Sequence, residues 1–287
     1  MAEPLSLCHL NGRLLPLREA RISPLDRAFL FGDGVYEVIP AWGGRARRLR
    51  SHLARLARSL AALRIRNPHD ERHWTQLLEA LIDVNGGGDV YVYLQVSRGA
   101  DSGRNHAPLP ELEPTVFAFC QPLAPPSAEV LENGIACITA ADTRWARCDI
   151  KSVALLANVL LRQQAVEAGA SETILLRDGW LTEASASSVY VVVDDTICAP
   201  PNSPQLLPAT TRGLIEELAD AHGIPRRVAP VSEAQLRGAD EVWLSAATRG
   251  VLAVTRLDAQ PVAGGKPGPL WQRMHGLIEA YWRADSA

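Results

Sequence analysis

The chain has 287 residues, 47% hydrophobic and 21% charged, with a formal net charge of −3 at pH 7. That length is long for one core and comfortable for two domains, and the slight negative charge gives no basis for nucleic-acid or membrane-surface binding. No run reaches the roughly 18 apolar residues that cross a bilayer, MAEPLSLCHLNGR does not read as an export signal, five scattered cysteines without a CxxC pair point to a reduced, cytoplasmic compartment, and no HExxH spacing calls for a metal.

LSLCHLNGRLLPL (5–17) reads as two short strands turned at Asn11-Gly12, and VYEVIPAWGGRARRL (35–49) repeats the pattern around Gly43-Gly44. In SHLARLARSLAALRI (51–65), Leu53, Leu56, Leu60 and Leu63 recur at helical spacing, and the arginine-dense run 43–58 reads as a solvated helix face. DERHWTQLLEALIDVN (70–85) is a second amphipathic helix, with Asn67 or Asp70 as its cap. DVYVYLQVSRG (89–99) and TVFAFCQPL (115–123) alternate as strands. The proline-dense QPLAPPSAE (121–129) is the best linker candidate, which predicts a small N-terminal domain over 1–121, a linker at 122–127 and a larger C-terminal domain over 128–287 that carries Lys151. The second half opens with a strand, GIACITAA, and a helix follows Lys151 over 152–169. Strands turned at Asp178-Gly179 and Asp194-Asp195 come next, then a helix from Thr210, strands over 240–262 and a closing helix over 270–284. Strands mixed with helices, without regular βαβ repetition or a fixed internal period, predict an α+β fold in two domains.

Only two of the 29 basic residues are lysines, Lys151 and Lys266. Arginine stays protonated and is a poor nucleophile, whereas a lysine that sheds its proton attacks a carbonyl to form an imine. Lys151 lies against an apolar segment, while Lys266 sits in the loop AGGKPGP and reads as solvated. Rarity alone is equally explained by codon usage. Imine chemistry with pyridoxal phosphate also needs an acid for the ring nitrogen, a phosphate clamp and a grip on the substrate carboxylate. Glu183, followed by Ser185, Ser187 and Ser188, offers an acid and hydroxyls, though by itself the stretch is a polar loop. Thr210-Thr211 begin a helix, where free N–H groups suit a phosphate and where an ordinary N-cap is the plainer reading. Arg104 and His106, two apart in ADSGRNHAPLP, share a face of extended chain and could hold a carboxylate.

Six ordered segments carry a resemblance: FGDGVYEV (31–38), HLARL (52–56), GRNHAP (103–108), RWARCDIKS (144–152), LTEASASSV (181–189) and LPATTRG (207–213). Together they resemble the fold-type IV pyridoxal-phosphate enzymes, the class IV aminotransferases, and within them the group acting on D-amino acids, over nearly the whole chain. The resemblance implies a two-domain α+β fold with the cofactor cleft between the domains, and a cytoplasmic homodimer with a shared active site. It implies small-molecule substrates, amino acids and 2-oxo acids. By position, Lys151 matches the Schiff-base lysine and general acid/base, and Glu183 the carboxylate at the pyridine nitrogen. Arg55, Thr210 and Thr211 match phosphate ligands, and Ser187 a serine close to the cofactor. Tyr36, Arg104 and His106 match the substrate-carboxylate trap, the last two reaching in from a partner subunit. Ala247 stands where a phosphate-contacting threonine is found, Ser188 where asparagine is common, and Pro208-Ala209 where Lys-Gly is found. The implied reaction is a ping-pong transfer of an amino group from a D-amino acid to a 2-oxo acid. The same fold also serves branched-chain L-amino acid aminotransferases, (R)-amine transaminases and 4-amino-4-deoxychorismate lyases. A protein that binds the cofactor without turnover is the reading outside enzymes, and intact Lys151 and Glu183 argue against it.

Overall fold

The computed structural model describes residues 3–284. They divide into two compact units, residues 3–124 with Ile150–Leu155, and Pro125–Asp149 with residues 156–284. The break after Ala124 falls inside the proline-dense stretch. Ile150–Leu155, with Lys151, groups with the first unit, although its place in the chain lies within the second.

The first unit is built on an antiparallel sheet of β1 (Leu7–Leu10), β2 (Arg13–Pro16), β3 (Gly34–Trp42), β4 (Arg45–Ala46), β5 (Val90–Ser97) and β6 (Thr115–Pro122). Their order is β2-β1-β6-β5-β3-β4. Its helices are α1 (Arg27–Phe31), α2 (Leu49–Ala62) and α3 (Glu71–Val84). Strand alternation puts Val90, Val92, Leu94 and Val96 of β5 into one core with Leu53, Leu56 and Leu60 of α2 and Trp74 and Leu78 of α3. Truncating a fully buried leucine such as Leu56 to alanine is expected to cost about 2–5 kcal/mol. Asp70 caps α3 by accepting the His73 N–H at 2.8 Å, while Asn67 accepts Trp74 Nε1–H at 3.0 Å. The arginine-dense run is not a uniform solvated face: Arg50 and Arg58 are exposed, but Arg47 and Arg55 are buried.

The helix after Lys151 begins only at Leu156. Before it, the Tyr36 N–H donates to the Lys151 carbonyl and the Val153 N–H to the Gly34 carbonyl, both at 3.0 Å. Ser152 bridges Val35, and Ile150 joins the core. These bonds keep 151–153 extended along the start of β3, so the helix starts four residues later than the apolar pattern predicts.

The second unit carries a mixed sheet of β7 (Ile135–Ala141), β8 (Glu172–Arg177), β9 (Trp180–Ala184), β10 (Ser188–Val193), β11 (Thr196–Ala199), β12 (Arg226–Val228), β13 (Glu241–Ala246), β14 (Gly250–Leu257) and β15 (Gln260–Pro261). The order is β12-β11-β10-β13-β14-β7-β8-β9, with β15 on β14. Its helices are α4 (Ala128–Asn133), α5 (Leu156–Glu167), α6 (Thr210–Ala221), α7 (Glu233–Arg237) and α8 (Pro269–Ala284). A crossover through α5 joins the parallel pair β7 and β8. Asp178 (φ 53°) and Gly179 (φ 79°) turn β8 into β9 with both central residues left-handed, the geometry a two-residue hairpin requires. That tight return places Glu183 near the end of β9. Buried Glu241 anchors α8, accepting the Leu270 N–H at 2.9 Å and the Trp271 N–H at 2.8 Å.

Candidate active site

In the first unit, β3 presents Tyr36 and Glu37 on opposite sides of the strand. Arg55 and His52, three apart on α2, both meet Glu37, which is completely buried. Arg55 grips it with both arms of its fork, Nε to Oε1 at 2.8 Å and Nη2 to Oε2 at 2.7 Å. His52 Nδ1 lies 2.7 Å from Oε2. Burial works against the Glu37 charge, but the Arg55 guanidinium and the hydrogen bonds from Arg55 and His52 hold its carboxyl down to about 2. Burial pushes His52 below its ordinary value, against the opposing pull of Glu37. A neutral ring facing a carboxylate must carry its proton on Nδ1. The Lys151 amine lies 4.2 Å from the centre of the Tyr36 ring. Tyr36 in turn stacks on Tyr93 at 5.7 Å. The Lys151 backbone N–H donates to Ser59 Oγ at 3.2 Å, so α2 also fixes the lysine's main chain.

Arg104 and His106 lie on the loop between β5 and β6 and are exposed. The structure brings them together over Phe31: the Arg104 guanidinium carbon is 5.5 Å from that ring's centre, and the His106 ring packs edge-on at 5.5 Å. Tyr36, grouped with them in the sequence reading, contacts Lys151 and Tyr93 instead.

In the second unit, Glu183 accepts a short hydrogen bond from Arg144 Nη1 and the Leu207 N–H at 3.2 Å. Arg144 is itself fixed by Asp142, Nε to Oδ1 and Nη2 to Oδ2 at 2.9 Å each, and by the Gln205 carbonyl at 3.1 Å. Asp142 also takes the Thr182 hydroxyl at 2.9 Å and Arg177 at 3.1 Å. Burial disfavours the Arg144 charge, but the Asp142 hydrogen bonds and the charges of Glu183 and Asp142 overcome it and raise the guanidinium above its usual range. Glu183 is therefore a carboxylate with its counter-charge built in. Ser187 and Ser185 both donate to a second buried carboxylate, Glu172, Ser187 at 3.4 Å. Thr210 and Thr211 open α6 and are buried, and the preceding Ala209 supplies no side-chain cap. The start of a twelve-residue helix carries the positive end of its dipole, which favours an anion. Ala247 and Thr248 form the turn between β13 and β14, and Ser188 opens β10.

Glu37, His52, Arg144 and Glu172 escaped the sequence reading. The one available signal was a charge inside the apolar strand VYEV; Arg144 carried none in a chain that writes nearly all its bases as arginine. His69 and His73, four apart, stack at 6.2 Å, but among the described residues no three potential ligands converge on a metal position.

The profile of the family "Amino-transferase class IV" matches residues 34–257. The chain is 39% identical over 269 residues to a D-alanine aminotransferase of Bacillus licheniformis, covering 94% of each chain. It is 35% identical to a D-alanine aminotransferase of Staphylococcus aureus, covering 96% of this chain and 98% of that one. Among solved structures it is similar to a T.th. branched-chain amino acid aminotransferase with pyridoxamine 5'-phosphate, with a TM-score of 0.89 at 27% identity over 96% of this chain and 94% of the other.

Proposed function

The chain belongs to the class IV aminotransferase family, and on that premise we propose that it is a pyridoxal-phosphate-dependent transaminase moving an amino group from a D-amino acid such as D-alanine to a 2-oxo acid. The observation that carries the substrate class is the near full-length identity with D-alanine aminotransferases.

The donor set fits the cofactor: a primary amine at Lys151, a charge-compensated carboxylate at Glu183, and a helix start at Thr210 with no side-chain cap. Lys151 would hold the cofactor covalently through Nζ, and Glu183 would face its ring nitrogen. Arg55, Thr210 and Thr211 would hold its phosphate, with Ser187 close by. Ala247 in place of a threonine forgoes one hydrogen bond, about 1 kcal/mol net. Bound pyridoxal phosphate supplies a conjugated, protonated ring that spreads the charge left when the substrate Cα loses its proton. Once the substrate amine displaces it from the cofactor, Lys151 Nζ would be free to take the Cα proton and give it back as general acid/base. Glu183, backed by Arg144, would keep a negative charge for the ring nitrogen. Arg104 and His106, with Tyr36, would grip the substrate carboxylate.

We further propose a homodimer in which Arg104 and His106 serve the partner's site. Both side chains are exposed in the single chain, and α5 exposes Leu156, Val159, Leu160 and Val166, an apolar surface that a second copy would cover. The five cysteines are free and buried, in accord with a reducing, cytoplasmic setting.

The test is a half-reaction panel read by cofactor absorbance. D-alanine alone is expected to convert the bound cofactor to its amine form, with L-leucine and (R)-1-phenylethylamine far slower. Borohydride is expected to fix the cofactor on Lys151. A preference for L-leucine, or a colourless protein that takes up no pyridoxal phosphate, would overturn the reading.

A further inference from the structure

We propose that Arg27 is the positioning residue that holds the Arg104-x-His106 loop in its gripping geometry and so sets the enzyme's demand for a substrate carboxylate; this rests on the reading of Arg104 and His106 as the carboxylate grip. An exposed loop tip ordinarily samples many conformations. Here the backbone beneath the two side chains is fastened from inside the first unit. Arg27, 3% exposed, donates from Nη1 to the Asn105 carbonyl at 2.6 Å and from Nη2 to the His106 carbonyl at 2.9 Å. The same guanidinium is anchored through Nε to Asp33 Oδ2 at 2.9 Å and through Nη1 to Asp101 Oδ2 at 3.2 Å. Asp33 is locked in turn by Arg98, at 2.7 and 2.9 Å. Asp101 turns the loop by accepting the Ser102 N–H at 2.7 Å. At the loop's base, Gly99 (φ 104°) presses so closely on the Glu113 carbonyl that no Cβ would fit.

One planar fork therefore ties α1, the approach to β3 and the loop tip together. Its charge is balanced by Asp33 and Asp101, so Arg27 adds no exposed positive site of its own. Arg104, by contrast, has no ion-pair partner among the described residues, and Phe31 lies under both guanidinium groups, 4.8 Å from Arg27 and 5.5 Å from Arg104. A buried arginine spending its donors on two loop carbonyls is what pre-organising an exposed grip requires, because a small displacement of either gripping group removes the two-point contact. Lysine carries its donors on one nitrogen and cannot span both aspartates and both carbonyls.

The experiment compares Arg27→Lys, Asp101→Asn and Arg104→Ala with the parent holoenzyme. The readouts are propionate affinity by calorimetry, pyridoxal-phosphate affinity, unfolding midpoint, and kcat/KM for D-alanine against D-alaninamide, which lacks the carboxylate charge. Arg27→Lys is expected to weaken propionate about tenfold and to shrink the preference for D-alanine over D-alaninamide about tenfold, with cofactor affinity unchanged. Asp101→Asn is expected to act the same way, about threefold, and decides the matter alone if Arg27→Lys does not fold. Equal losses on both substrates, or unchanged propionate binding in Arg27→Lys and Asp101→Asn while Arg104→Ala weakens it, would overturn the role of Arg27 and leave the grip standing. Unchanged propionate binding in Arg104→Ala would overturn the grip and the Arg27 proposal with it.

Discussion

Among the buried carboxylate–arginine pairs, Glu37–Arg55 in the first unit and Glu183–Arg144 in the second are built in opposite senses. In the first, Glu37 is sealed at 0% side-chain exposure and Arg55 keeps 6%. In the second, Arg144 is the more sealed at 4% and Glu183 keeps 11%. Both arginines reach a carboxylate through short, charge-assisted bonds, but the reachable member differs. The proposed assignment, which the family resemblance implies, accords with that difference: Arg55, held by Glu37, would act on the phosphate, and Glu183, held by Arg144, on the ring nitrogen. An ion pair of this kind is a means of aiming one charge with another, because a single buried charge without its partner is strongly destabilising.

The largest effect should come from removing a sealed holder. Arg144→Met strips the counter-charge from Glu183 and leaves Asp142 with Arg177 at 3.1 Å and the Thr182 hydroxyl at 2.9 Å. A loss of about 3–5 kcal/mol is expected in urea unfolding of the holoenzyme. Removing the reachable member should instead spare the fold. Glu183→Gln keeps the shape and an acceptor for the Leu207 N–H, so its unfolding midpoint should move little. Turnover of D-alanine should fall by about 10²–10³, or roughly 3–4 kcal/mol in the barrier. If Glu183→Gln unfolds as readily as Arg144→Met, the distinction between holder and actor is lost.

What could be read in the sequence was whatever repeats along it. Asn11-Gly12 and Asp178-Gly179 announce turns by residue type, and Leu53, Leu56 and Leu60 announce α2 by spacing. The α+β class follows from such local signals. Lys151 and Glu183 stood out as candidates because imine chemistry asks for residue types that are rare or conspicuous where they stand. What was missed depends on pairing across elements. Glu37 lies 18 residues from Arg55 and Arg144 lies 39 from Glu183, and no local period links either pair. The stretch 152–155 was read as helix because its apolar pattern continues into α5; the bonds of Lys151 and Val153 to Tyr36 and Gly34 override that pattern. Arg27 looked like any other base in an arginine-rich chain, and only its contacts with the Asn105 and His106 carbonyls single it out.

The smallest effect is the one that isolates the first pair, and pH exposes it. Glu37 ordinarily titrates near 4.5 and in the folded chain is held down to about 2. Between those values the unfolded chain binds the proton and the folded chain does not, so stability rises with pH across the window. The contribution is fully present above about 4.5 and is lost as the pH falls toward about 2; its size is on the order of 3 kcal/mol. Glu37→Gln should therefore be less stable than the parent at pH 7, and the gap should close as the solution is acidified. His52 faces the same carboxylate and takes up a proton in acid, and Arg55 and Lys151 add positive charge nearby. Making the comparison in a His52→Gln background removes the imidazole that faces the same carboxylate. Urea midpoints at pH 7, 5, 4 and 3.5 then read Glu37 itself. A gap that stays constant over this range would mean that the Arg55 grip does not set the Glu37 charge, and the first pair would no longer mirror the second.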